Sequence, residues 1–310
     1  MKILIAGAGA MGGSFAHKLS FKHDVSVIDT WDENIEKINS SGLDILDLDK
    51  LVNNKNIKAY RPEEFKEKVD LVIVFVKSMM LDKMLEDIKD VFDENTKILC
   101  LLNGLGHIET LKKHVKEENI VVGISLITAS LKGASQVELT SYAYNEISGI
   151  NEKGNENAKI IAEVINSCGL PTHYIEDVQK SIWVKACLNG VFNSLCTIAD
   201  LRLGEFRNIP DLEPTMHAII DEFHAIALRE GVDFDKNLAF EKVNNCVKPG
   251  YPGEFHYPSM HQDLRQHGRY TEIDYLNGYI ARKGLQYGIA TPYCRLITFE
   301  IKALESKLVK

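Results

Sequence analysis

Lys185, Asn189 and Asn193 recur at i, i+4 and i+8 in an otherwise apolar stretch, Trp183 to Asn193. On a helix these three polar groups lie within about 80° of one another. Polar side chains on such a face need hydrogen-bond partners or a polar cleft. A lysine set among apolar residues is also where a lowered pKa arises, which suits a proton donor. Hydrogen bonds bracing a packed helix explain the same pattern equally well.

A second set of residues speaks to a ligand. Gly7-Ala8-Gly9-Ala10-Met11-Gly12 matches G-x-G-x-x-G directly after the apolar run Lys2 to Ala6 and before a helical pattern. That context gives the motif its weight. Gly7 permits the tight turn, Gly9 lets the backbone approach a pyrophosphate, and Gly12 allows close packing of helix on strand. The helix start then offers N–H groups and partial positive charge to the phosphates.

Asp29 stands 22 positions after Gly7 (29 − 7), at the end of the second apolar run. An acidic side chain there accepts from the adenosine ribose hydroxyls and repels a 2′-phosphate. No Arg or Lys lies between Val25 and Glu36 to welcome that phosphate. The expected cofactor is therefore NAD(H) rather than NADP(H), although Asp29 could also be a plain helix cap. Trp31 could cover the adenine or simply pack. Lys77 ends the apolar run Leu71 to Val76, and Asn103-Gly104 closes the next. Strand ends of this kind face the ligand crevice; a solvated lysine and a turn asparagine are the plain alternatives. Farther on, Pro258-Ser259 starts a helix that could offer a hydroxyl and N–H groups to a carboxylate. Glu272 falls in the first turn expected after Thr271, where an acid is ordinary.

The elements that must position these residues follow from periodicity. Strands are expected at Lys2–Ala6, Asp24–Asp29, Leu71–Val76, Lys97–Leu102, Ile120–Ile124 and Thr172–Ile175, with helices at Gly12–Phe21, Asp32–Ser40, Met79–Val91 and Asn157–Cys168. Gln136–Ile147 reads as two antiparallel strands. This alternation predicts an α/β fold with a doubly wound parallel sheet of Rossmann type. Beyond Asp177 helical patterns take over: Val178–Ala199, Glu213–Glu230, Lys236–Asn245, Glu272–Tyr287 and Pro292–Leu308. The expected domains are 1–176, binding the dinucleotide, and 177–310, all helical.

Composition sets the limits. The 310 residues are 45% hydrophobic and 26% charged, with a net charge of −8. No basic stripe invites nucleic acid or an anionic membrane. Neither a secretion signal nor a membrane-spanning run is read in the sequence. The six cysteines form no C-x-x-C pair and sit in apolar stretches, which predicts reduced, buried thiols and a cytoplasmic protein. No metal is expected. His217, His224, His261 and His267 lie in separate segments without ligand spacing.

Taken together, Gly7 to Gly12, Val76-Lys77, Asn103-Gly104, Lys185-x3-Asn189-x3-Asn193 and Ser259-Met260-x-Gln262-Asp263 leading to Thr271-Glu272-Ile273-Asp274 resemble the ketopantoate reductase (2-dehydropantoate 2-reductase) family. The resemblance covers nearly the whole chain. It implies hydride transfer from NAD(P)H to the C2 carbonyl of a small 2-keto acid, giving D-pantoate from ketopantoate on the route to pantothenate. It implies Lys185 as general acid and Glu272 as the group that orients the site. Asn189, Asn193 and Ser259 would bind substrate oxygens, and Lys77 and Asn103 would line the cofactor side. A homodimer through the helical domain is also implied, and NADPH is the family's default cofactor.

Two features depart from that pattern. Asp29 stands where NADPH-using members tend to carry a basic residue. Leu203, in Asp200-Leu201-Arg202-Leu203-Gly204, cannot bind a substrate hydroxyl. With Ile28-Asp29-Thr30-Trp31 these resemble the family branch of NAD-dependent D-2-hydroxyacid dehydrogenases acting on branched or aromatic 2-keto acids. A dinucleotide-binding sensor without catalysis would keep Gly7 to Gly12 but has no need of Lys185 and Glu272.

Overall fold

The computed structural model describes residues 1–308. They form two compact units. One comprises Met1–Leu102 and His107–Val178; the other comprises Asn103–Gly106 and the chain from Gln179 onward.

In chain order the first unit contains β1 (Lys2–Ala6), α1 (Ala10–Leu19), β2 (Asp24–Ile28), α2 (Asp32–Ser41), β3 (Leu43–Asp47), β4 (Lys50–Asn54), β5 (Lys58–Tyr60), β6 (Leu71–Val74), α3 (Leu81–Asp87), β7 (Lys97–Cys100), α4 (His107–Leu111), β8 (Ile120–Ser125), β9 (Thr128–Gly133), β10 (Gln136–Ser141), β11 (Asn145–Gly149), α5 (Glu152–Ser167) and β12 (Thr172–Tyr174). Eight strands build the main sheet in the order β12-β11-β8-β7-β6-β1-β2-β5. From β5 to β8 every pairing is parallel. Side chains of the central strands are buried on both faces, as Ile3 and Leu4 in β1 and Val72 and Ile73 in β6 show, so these strands read as unbroken apolar runs. The chain leaves β1 toward β2 and later returns to its other side with β6. The switch point of the sheet therefore lies at the end of β1, where Gly7 begins.

A second sheet, β4-β3-β10-β9, was not legible in the sequence. The expected pairing of two antiparallel strands within Gln136–Ile147 is corrected here. β10 pairs with β9 and, in parallel, with β3, whereas β11 pairs antiparallel with β8 in the main sheet. Alternation marked both strands but could not say that a bend at 142–144 sends them to different sheets. β3 and β4 escaped notice because only Leu43, Ile45 and Asn54 of their ten residues are fully buried.

The second unit is helical among the described residues, with α6 (Gln179–Ala199), α7 (Leu212–Arg229), α8 (Lys236–Asn245), α9 (Ser259–His261), α10 (Asn277–Tyr287) and α11 (Pro292–Glu305). By length and composition α6 could cross a membrane. Here it is a core helix: Trp183, Cys187, Val191 and Phe192 are buried in one cluster with Phe223 of α7, Ile280 of α10 and Ile297 of α11. Gly190 makes the close approach of α6 and α7 possible, because a Cβ there would lie 2.6 Å from the Phe223 ring. All six cysteines are free thiols; five are buried and Cys168 is partly so.

The single helix expected over Glu272–Tyr287 is broken. Ile273–Tyr275 forms a 3-10 turn, Leu276 departs from helical geometry, and α10 begins at Asn277. The reason is a competing hydrogen bond. Leu105 N–H donates to the Tyr275 carbonyl at 2.8 Å, while Tyr279 N–H turns to Leu276.

Candidate active site

The glycine loop is shaped by what would happen if side chains were added. Gly7 has φ of +101°, in the region that favours glycine, and a Cβ there would lie 2.8 Å from the Phe75 carbonyl carbon. At Gly12 a Cβ would fall 1.7 Å from the Gly7 carbonyl oxygen, so α1 could not pack this tightly under the turn. Gly9 is different, since a Cβ there would meet no atom within 4 Å. Its α-carbon faces open space at the head of α1, whose N-terminus carries no side-chain cap. Uncapped N–H groups with the helix dipole behind them suit a pyrophosphate, so this loop fits a dinucleotide. Ala8 is buried, while Ala10 and Met11 begin α1 and are partly buried.

Asp29 follows β2 and is held by its surroundings. Its Oδ1 accepts from the N–H groups of Thr30 (2.7 Å) and Trp31 (3.1 Å). Its Oδ2 accepts from Ala8 N–H (3.0 Å) and from the Asn34 amide (3.1 Å). Asn34, only 1% exposed, also donates to the Ala8 carbonyl and accepts from Ser135 N–H. The sequence reading missed Asn34. Its spacing marked only a helix interior, and besides Asp29 its partners are 26 and 101 residues away. The same reading looked for cations between Val25 and Glu36 alone, yet Arg61, just after β5, reaches Asp32 at the start of α2. Trp31 is 39% exposed.

Lys77 lies just beyond β6 and precedes the 3-10 turn Ser78–Met80. Behind it, buried His107 places Nε2 3.0 Å from Ser78 Oγ; burial lowers the His107 pKa to about 4, so the ring is neutral.

In the helical unit, α6 presents Lys185, Asn189 and Asn193 along one side, as their spacing requires. Lys185 and Asn189 are partly buried, and Asn193 is buried. Loss of water around Lys185 lowers its pKa to about 8, and the carboxylate of Glu272 pulls in the opposite direction. The two groups, 87 residues apart in sequence (272 − 185), thus sense each other across the same site. Asn193 donates from Nδ2 to Ser259 Oγ at 3.4 Å, which brings α9 to the same side of α6. Glu272 does not sit in a helix's first turn as expected; it precedes the 3-10 turn. Asn103 begins the loop Asn103–Gly106, which packs on that turn. A Cβ at Gly104 would lie 2.6 Å from the Tyr275 carbonyl oxygen.

A supporting layer holds these groups, and the sequence did not reveal it. Buried Glu305 of α11 accepts from both Thr271 N–H (2.7 Å) and Thr271 Oγ1–H (2.6 Å), fixing the residue before Glu272. Ser194 donates to Asn277 at 2.9 Å, tying α6 to α10 beside Asn193. His261 Nε2 meets Asp200 at 2.7 Å, and Arg265 grips the Thr197 carbonyl, so the segment after Ser259 is fastened to the end of α6. Leu203 packs against the apolar core of this unit. Two other histidines are separately engaged: His217 stacks on Phe240, and His224 Nδ1 lies 3.2 Å from the Phe234 carbonyl oxygen. Among the described residues no three His, Cys, Asp or Glu side chains gather as a metal site.

Comparison with known proteins gives a consistent picture. Residues 3–152 match the family model described as ketopantoate reductase PanE/ApbA, and residues 177–305 match the model of its C-terminal part. The 2-dehydropantoate 2-reductase of Lactococcus lactis is 41% identical over 313 residues, covering 99% of both chains. That of Streptococcus pyogenes is 37% identical with the same coverage. Among solved structures, D-mandelate dehydrogenase in its ternary structure with NADH and anilino(oxo)acetate superposes with a TM-score of 0.95 at 39% identity, covering all of both chains. A putative 2-dehydropantoate 2-reductase from Enterococcus faecalis gives a TM-score of 0.81 at 40% identity, covering 100% of this chain and 99% of the other.

Proposed function

The chain belongs to the ketopantoate reductase family, and we propose that it reduces 2-keto acids at the C2 carbonyl with NADH, ketopantoate being the substrate and D-pantoate the product. The observation that carries this reading is the placement of Lys185 on the polar side of α6, within reach of the charge on Glu272, with burial lowering its pKa to about 8. Reduction of a ketone puts negative charge on oxygen. An ammonium aimed at that oxygen stabilises the charge and delivers a proton to it. A lysine with a pKa near 8 is still protonated at neutral pH yet gives up its proton more readily than an ordinary lysine.

When bound, the reduced nicotinamide supplies the hydride. The chain's own residues do the rest. Gly7 to Gly12 and the head of α1 bind the pyrophosphate, and Asp29 orders the loop that receives the adenosine ribose. Lys77 lines the cofactor side. Asn189, Asn193 and Ser259 hold the oxygens of the keto acid. Lys185 protonates the new alkoxide through Nζ and is reprotonated by solvent, while Glu272 orients it. Asn103, on the loop against Tyr275, completes the surroundings of Glu272.

A second reading is an NAD-dependent D-2-hydroxyacid dehydrogenase acting on branched or aromatic 2-keto acids. It is favoured by Asp29 at the end of β2, by apolar Leu203, and by the likeness to D-mandelate dehydrogenase. The test is a steady-state comparison of NADH and NADPH, each with ketopantoate, 2-ketoisocaproate and phenylglyoxylate. A kcat/KM highest for ketopantoate supports the first reading; one highest for 2-ketoisocaproate or phenylglyoxylate with NADH replaces it with the second. Absence of turnover with all three removes both.

We also propose a homodimer. Leu285 and Phe299, about 70% exposed, flank a shallow apolar depression on α10 and α11, a surface that a second copy would cover. Sedimentation equilibrium tests it directly.

A further inference from the structure

Asp29 alone does not account for cofactor choice. An ionised carboxylate offers about four acceptor positions. Four donors already point at Asp29, namely the N–H groups of Ala8, Thr30 and Trp31 and the Asn34 amide. Its hydrogen bonding is thus spent largely on building the loop, and toward a 2′-phosphate it acts chiefly as a fixed negative charge. What remains is to find the cation that a 2′-phosphate would need, and why it is withheld.

The sheet supplies that cation. β5 lies beside β2 in parallel register, Ile28 opposite Tyr60, and Asp29 N–H donates to the Tyr60 carbonyl at 3.1 Å. Arg61 therefore emerges at the same sheet edge as Asp29, one strand over. Its guanidinium pairs with the Asp32 carboxylate at the start of α2, and Glu63 stands 4.0 Å away. Its backbone N–H is taken by Glu64 at 3.0 Å. The Arg61 side chain is 40% exposed and that of Asp32 58%, so the pair borders solvent at the sheet edge that also carries Asp29. An Arg near the end of the second strand is the group that accommodates a 2′-phosphate in dinucleotide folds, and its planar fork suits phosphate oxygens.

We propose that Arg61 is the residue that discriminates between NADH and NADPH, and that Asp32 enforces the NADH preference by occupying the guanidinium. Asp29 and Asp32 together leave this edge negative, and Arg61, the cation beside them, is tied to a carboxylate. The proposal rests on the dinucleotide reading of the first unit and adds to it the residue pair that sets specificity.

The test uses two nucleotides that differ only in the 2′-phosphate, adenosine 5′-phosphate and adenosine 2′,5′-bisphosphate, titrated calorimetrically into the full chain. Asp32→Asn should tighten the bisphosphate about tenfold, while 5′-phosphate affinity moves less than about threefold. Asp32→Asn with Arg61→Ala should lose that gain. Arg61→Lys on the same background should keep part of it, since charge remains but the fork is gone. A gain that survives in the double variant comes merely from removing a negative charge, and overturns the assignment of Arg61. No gain in Asp32→Asn, with the fold intact by circular dichroism, overturns the role of Asp32. If the unaltered chain binds neither nucleotide, the dinucleotide reading fails and this proposal with it. If it binds the 5′-phosphate and the variants do not discriminate, the proposal alone fails.

Discussion

The glycine loop and the polar face of α6 achieve placement in opposite ways. The loop is made of backbone: two of its glycines are fixed by contacts a Cβ would violate, at 2.8 Å for Gly7 and 1.7 Å for Gly12. The α6 site is made of side chains, and each is placed by partners far away in sequence. Thr271 depends on Glu305, Ser194 on Asn277, and Asn193 meets Ser259. A site built from backbone tolerates almost no change at glycines such as Gly7 and Gly12 but is written locally. A site built from side chains can be retuned residue by residue, and its support is scattered over the chain.

The contrast is tested most severely at Lys185. Lys185→Ala should lower kcat for keto acid reduction by about 10³-fold, the scale of a lost general acid and oxyanion partner, and leave NADH affinity within about twofold. Equal losses in both would mean that the two regions are not separable.

Gly12→Ala is the counterpart. The added methyl group collides with the Gly7 carbonyl, so NADH affinity measured by fluorescence titration should fall by about 100-fold, with melting temperature lowered as well. Unchanged affinity would show that the loop is less rigid than its backbone contacts imply.

The pH dependence of the reduction sharpens the comparison further. Lys185 donates only when protonated, and its pKa lies at about 8. The kcat of reduction should be constant below that value and fall about tenfold per pH unit above it. Lys185→Arg should abolish that limb; a limb that persists belongs to another group.

The smallest effect is expected from the supporting layer. Thr271→Val keeps the shape but removes the hydroxyl that donates to Glu305. It should cost about 1–2 kcal/mol of stability in denaturant titration and lower kcat only severalfold, with the KM for NADH unmoved. Restoration by Thr271→Ser would separate hydrogen bonding from packing.

The same contrast explains what could be read in advance. β1, the glycine loop, α1 and the apolar strands β6 and β7 were legible because burial on both faces and a glycine code leave a local trace. Lys185, Asn189 and Asn193 stood out as polar intruders in an apolar helix, although only proximity in space links Lys185 to Glu272. Asn34, Arg61 and Glu305 carried no trace. Each is an ordinary polar residue in an ordinary setting, and its meaning comes from strand register or from a helix more than 20 residues away. β3 and β4 were missed for a related reason: so few of their side chains are fully buried that alternation hardly shows.

The parallel pairing of β3 with β10 has a consequence for how the protein is made. Asp44 and its partner Gln136 are 92 residues apart (136 − 44), and Asn34 waits for Ser135 to take its carbonyl oxygen. During synthesis β3 can pair with β4 on one side, but its other edge and the Asn34 amide oxygen stay unmatched until β9 and β10 follow. Long-range parallel pairing of this kind closes slowly and leaves strand edges open meanwhile. The N-terminal unit thus completes its second sheet only when β10 has been made, and one edge of β3 stays open until then.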